Sequence, residues 1–181
     1  MAPGLADLTP LFGSHAYVAG ALFEVERQWA ANEAEAAVQV HLARFSRYHS
    51  WHAELWLDLL PDSVALADLA AANPPDPIWA SQLEALSEVA ATGPRLALMY
   101  RCVLPRVLTA TDCLLDALSP VADAAAMRTC GFVGADLAAE QAAGARLLHQ
   151  LTRGETLADA LARAVSADVV LSDSEFGRCG A

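Results

Sequence analysis

From Ala21 to Leu60 the chain runs 40 residues without a Gly or a Pro. Such a stretch favours helix throughout. As one continuous helix it would be about 60 Å long, too long for a single small domain. The run must therefore fold back on itself. Asn32 marks the turn best, because Asn tolerates the left-handed conformation that ends helices. The break is placed near 32–35, giving helices over 8–31 and 34–60.

The second of these helices is chemically loud. The segment His41 to Pro61 holds three of the five His and two of the four Trp of the chain. At helical spacing Val38, His41, Leu42, Phe45, His49, His52, Trp56 and Leu59 fall on one stripe, the face a helix normally buries. In the first helix the inner stripe reads Phe12, His15, Ala19, Leu22, Glu26 and Trp29, with Thr9 as N-cap and Pro10 in the first turn. Centring the turn near residue 33 sets His15 level with His52 and Glu26 level with His41. His15, Glu26, His41, His49 and His52 then form a line inside one hairpin. Imidazole and carboxylate together suit Fe, Mn or Zn, and His49 and His52, three residues apart, can share one ion.

Downstream, the pattern gives a short helix over about 62–72, a rigid NPPDP linker at 73–77 and a second short helix over 78–91. A long helix follows over 94–118, which Pro105 should kink because it removes a backbone donor. Another covers 121–153, with inner stripe Met127, Cys130, Gly134, Leu137, Gln141, Gly144, Leu148 and Leu151. Gly131, Gly134 and Gly144 lower its helix propensity, which points to close packing against a neighbour. A terminal helix over 155–167 precedes a flexible tail at 168–181. No strand pattern or internal repeat is present. The fold expected is all-α, a single domain over 1–167. Two long helical hairpins flank a crossover of about 33 residues that carries short helices.

Charge and composition narrow the partners. The net charge is −11 and every basic side chain is Arg, so a phosphate backbone is repelled overall and no nucleic-acid partner is expected. Arg95, Arg101 and Arg106 could make a local basic face but are read as solvated charge. No apolar run approaches the roughly 20 residues a bilayer requires. The N-terminus carries Asp7 and lacks the basic start of a secretory signal. A cytoplasmic protein without a membrane partner is expected. The four Cys form no CxxC, so reduced thiols are expected.

The helix order and the segment FSRYHSWHAELW resemble the ferritin-like superfamily, which includes rubrerythrin-type and tRNA-hydroxylase-type di-iron proteins. The resemblance covers about 145 residues, to position 153. It implies a four-helix bundle with one long crossover. Two irons would be held by a Glu from each of two helices and a Glu-x-x-His from each of the other two. Glu26 matches the first-helix Glu. His49-Ser50-Trp51-His52 stands in the Glu-x-x-His place, with His where Glu belongs. The other half departs from the pattern. The helix over 94–118 has Leu96, Tyr100, Val103, Val107, Thr111 and Leu114 on its inner stripe, with Asp112 to the side. Asp136 and Glu140 lack a His three residues on, and His149 follows Arg146 at that spacing.

A di-iron centre is therefore not expected to assemble, and a metal-free binding or structural module is the leading reading. One alternative is an iron- or manganese-dependent oxidase or hydroxylase with its site between the first two long helices. Another is a small-molecule-binding bundle with a cavity near Tyr48 and Tyr100. A homodimer and an unidentified small ligand both remain open as partners.

Overall fold

A computed structural model describes residues 3–151 and 155–177. Among the described residues the chain is all helix and turn, with no strand. Helix α1 spans Leu5–Asn32 and α2 spans Ala36–Leu57, joined by a three-residue turn. The single-residue cap foreseen at Thr9 is replaced by an earlier start. The Asp7 carboxylate accepts from the Gly4 amide at 2.9 Å, which satisfies one of the donors a helix N-terminus leaves open. Pro10 then lies inside the helix, and the Thr9 hydroxyl donates to the Leu5 carbonyl.

The crossover is less helical than its sequence suggests. The expected helix at 62–72 is reduced to one 3-10 turn, Val64–Leu66. Ala71 presses its carbonyl against α1 at Gly13, where an added Cβ would lie 2.1 Å from that oxygen. A side chain at 13 would therefore push the crossover off the first hairpin. Helix α3, Pro77–Ser87, starts as N-cap rules dictate: Asp76 accepts from the Trp79 amide at 3.0 Å and Pro77 occupies the first turn.

The second hairpin begins with α4, Thr92–Leu98, continues through a π turn at Met99–Val103, and becomes α5, Leu104–Ala117. The kink expected from Pro105 is expressed as this π turn. A widened turn absorbs the missing donor and the crowded carbonyl just upstream of the ring. Helix α6, Ala124–Leu151, returns antiparallel to α4–α5. Helix α7, Glu155–Leu171, packs on α4 and α3.

The core runs the length of the molecule. Trp29, Trp56 and Trp79 are fully buried, as are Leu22, Leu104, Leu137 and Leu148. The segment 168–177, expected as part of a loose tail, is placed as the last turn of α7 and a following turn in which Ser174 and Phe176 are buried. Ser174 donates to the Asp76 carboxylate, and Phe176 meets the Trp79 ring at 5.1 Å. Residues 178–181 of that expected tail lie outside the described residues. Cys102 and Cys130 are free thiols within the core, but Cys113 is disulfide-bonded, so the expectation of reduced cysteines fails there. Among the described residues no helix is long and apolar enough to cross a membrane.

Candidate metal centre

Three deeply buried donors come from three helices. Glu26 projects from α1 between Leu22 and Trp29, His49 projects from α2, and Glu140 projects from α6, each with at most 1% of its surface exposed. His49 Nε2 lies 3.1 Å from Glu140 Oε2 and 3.8 Å from Glu26 Oε2. One ligand atom from each residue lies within 4.8 Å of the other two.

The polar atoms here are short of partners. Both Glu26 oxygens, Glu140 Oε1 and His49 Nε2 have no hydrogen bond, because the close approach of His49 to Glu140 is out of hydrogen-bonding alignment. Burying a polar group unpaired costs several kcal/mol, roughly 2–7 by reference state. Burial accordingly drives the Glu26 carboxyl well above its usual range, and the charge of Glu140 adds to that push.

Tyr100 closes the cluster from the π turn. Its hydroxyl is hydrogen-bonded to His41 Nε2 at 2.7 Å. Burial, then the charges of Glu26 and Glu140, hold the phenol well above its ordinary value, so it stays protonated. The ring lies flat against α6 at Gly144, where a Cβ would come within 2.5 Å of it. Of the three glycines read as packing positions, Gly144 alone has this contact. Gly131 meets nothing within 4 Å, and Gly134 meets only the Thr111 methyl at 4.0 Å.

The line of five residues read from the sequence is thus divided. Glu26 and His49 converge. His52 sits beside them, its ring 5.9 Å from that of His49, but it faces Asp136, with Nε2 3.1 Å from Oδ2. Desolvation lowers its pKa, against the pull of Asp136. His41, half-exposed, reaches Tyr100 and not Glu26. His15 lies elsewhere: it packs on Trp56 at 4.6 Å and Phe176 at 5.0 Å, in place of the expected His52. Its Nδ1–H donates to the Leu11 carbonyl, and desolvation lowers its pKa to about 4. The register of the hairpin differs because side chains lean toward the N-terminus of their own helices, so level backbones do not bring level side chains together.

Glu140 was missed as an inner residue. From Leu137 the stripe can continue at the third or the fourth residue, and both Glu140 and Gln141 are polar. Periodicity favours neither, and the structure buries Glu140 and leaves Gln141 half-exposed. Gly144, four residues beyond Glu140, was the available signal.

The donor set fits a divalent ion. Metal–oxygen and metal–nitrogen bonds of about 2.0–2.2 Å allow donors up to about 4.4 Å apart, so a contraction of a few tenths of an ångström closes the cluster. Two carboxylates neutralise one dication, which suits a dry interior. The Arg cluster, by contrast, is not a free basic face: Arg95 lies 3.7 Å from Glu33 and over the Trp29 ring, and Arg106 pairs with Asp168 at 3.0 Å.

No protein-family model, curated protein or solved structure matches this chain.

Proposed function

We propose that the chain is a ferritin-like helical bundle that binds one divalent metal ion, iron or manganese by preference, between Glu26, His49 and Glu140. The observation that carries this reading is a buried set of donors from three helices, pointed at one another, with four of their polar atoms lacking an aligned hydrogen bond. The order hairpin, crossover, hairpin supports the superfamily part of the proposal. Two carboxylates and one imidazole are a mixed hard donor set that Fe(II), Mn(II) and Zn(II) all accept. Three protein ligands leave coordination positions open. An iron or manganese ion held so would supply the redox or Lewis-acid chemistry that an oxidase or hydroxylase needs. Tyr100, fixed by His41 and Gly144, would orient the Glu26 side of the cluster.

The second reading is the metal-free structural module. It is favoured by the raised Glu26 carboxyl, since burial, and then the charge of Glu140, favour the neutral form of that acid without any ion.

Titration of Fe(II), Mn(II) and Zn(II) into chelator-treated protein separates the two. We expect about one ion per chain and a rise in melting temperature, since an ion present at a hundred times its Kd stabilises by about 2.7 kcal/mol. His49→Ala and Glu140→Gln should each remove that rise, while His15→Phe should keep it. Absence of both bound metal and any melting shift with all three ions would leave the structural module as the answer.

A further inference from the structure

Along the outer face of α2 lies an open groove of about 620 Å³ lined by Val40, Ala43, Arg44, Arg47, Tyr48 and Trp51. That volume is within the range of small-molecule sites, roughly 300–1,000 Å³. The lining is apolar and aromatic apart from two guanidinium groups. In a chain of net charge −11, Arg44 and Arg47 make no ion pair among the described residues, whereas Arg27, Arg95 and Arg106 do. Arg44 is held in place by its neighbours, its guanidinium 5.2 Å above the Phe45 ring and 5.8 Å above that of Tyr48. Trp51 is 41% exposed, and Phe132 of α6, 57% exposed, stands against it at 6.4 Å. Two flat rings and two unpaired cations therefore border one hollow.

We propose that this groove is a binding site for a small organic anion with a flat apolar body, such as an aromatic carboxylate. The body lies against Val40, Ala43 and the Tyr48 and Trp51 rings, and the anionic group pairs with Arg44 and Arg47. Planar guanidinium groups recognise a carboxylate through two parallel hydrogen bonds. A second copy of the chain fits this face poorly. A two-fold axis through the middle of the groove would set Arg44 and Arg47 against their own counterparts, and like charges across an interface repel. The floor of the groove also leads inward. The Tyr48 ring is stacked 6.4 Å from His52, the Trp51 ring lies 5.8 Å from it, and His52 adjoins His49. The proposal goes beyond the metal reading and does not depend on it.

The test is calorimetric titration of 1-naphthoate into the chelator-treated full chain, repeated after loading with Zn(II). Trp51 fluorescence is followed in parallel. Saturable binding with a Kd below about 1 mM is expected in both forms. The neutral 1-naphthalenemethanol should bind at least about tenfold more weakly, and so should naphthoate to Arg44→Gln/Arg47→Gln. Arg101→Gln/Arg146→Gln, an exposed double change of equal charge, should leave the Kd unaltered. All these positions are on the surface, so the variants should fold, and unchanged melting temperatures verify that. No saturation by about 1 mM, equal affinity for the neutral analogue, or an unaffected double variant overturns the proposal. So does a molecular mass that doubles with protein concentration and resists naphthoate, which would give the face to a second copy. Loss of metal binding alone, with naphthoate still bound, would sink only the metal reading.

Discussion

His15 is the residue with the most readable pH behaviour. It is buried against Trp56 and Phe176, with its Nδ1–H committed to the Leu11 carbonyl and Nε2 without a partner. Protonation would place a charge in that apolar setting, and its pKa falls from 6.5 to about 4. A base whose pKa is depressed on folding favours the folded state above its unfolded value. That contribution is lost as the pH falls through the folded one. The window here is from about 6.5 down to about 4. At about 1.4 kcal/mol per unit the full loss is on the order of 3 kcal/mol. Comparison of urea unfolding for the parent and His15→Phe at pH values across that window should show the parent losing more. A stability difference that stays constant with pH would mean His15 is not held neutral. Glu26 and His49 differ from His15 in what burial asks of them: their atoms face other donors and not rings, which makes them a site and His15 a packing residue.

At the scale of elements, the π turn and α6 act as one unit. The turn at Met99–Val103 sets Tyr100 inward, and Gly144 lets its ring lie against the helix backbone. Gly144→Ala would drive a methyl into that ring. The expected cost is about 1–3 kcal/mol, the usual range for overpacking. Gly131→Ala, in the same helix with open space around it, should be neutral or stabilising by up to about 1 kcal/mol. Denaturation midpoints of the two variants test this contrast directly, and equal effects would show that Tyr100 moves aside freely. The sequence reading took all three glycines as packing positions. Composition could raise that idea but could not sort them, because sorting needs the neighbour. The Arg-to-acid pairs have the same character: Arg95 and Arg106 find Glu33 and Asp168 only after distant segments meet.

At the scale of the molecule, the candidate centre ties the two hairpins together. α1 and α2 supply Glu26 and His49, and α6 supplies Glu140. An ion there would add a cross-link to the His52–Asp136 and His41–Tyr100 contacts that already join the hairpins. Hydrogen exchange should then show protection rising together around residues 26, 49 and 140 when Zn(II) is added, with α3 unchanged. α3 packs against α1 and α7, away from the cluster. Protection confined to α1 and α2 would place the ion within the first hairpin alone, as the sequence by itself suggested.

The long helices were legible from the chain alone, because periodicity, Pro and Gly act locally. The 40 residues without a breaker and the inner face carrying Leu22, Glu26 and Trp29 both express rules of one or two turns. Two members of the donor trio, Glu26 and His49, could be named for the same reason. Tertiary structure decided the rest. Whether Glu140 or Gln141 turns inward is a rotation of α6 that its own sequence leaves nearly balanced, and packing of Tyr100 against Gly144 settles it. Whether His15 meets His52 or Trp56 depends on how side chains lean across a hairpin. The burial of Phe176 depends on Trp79, almost a hundred residues away, a contact that no local pattern encodes.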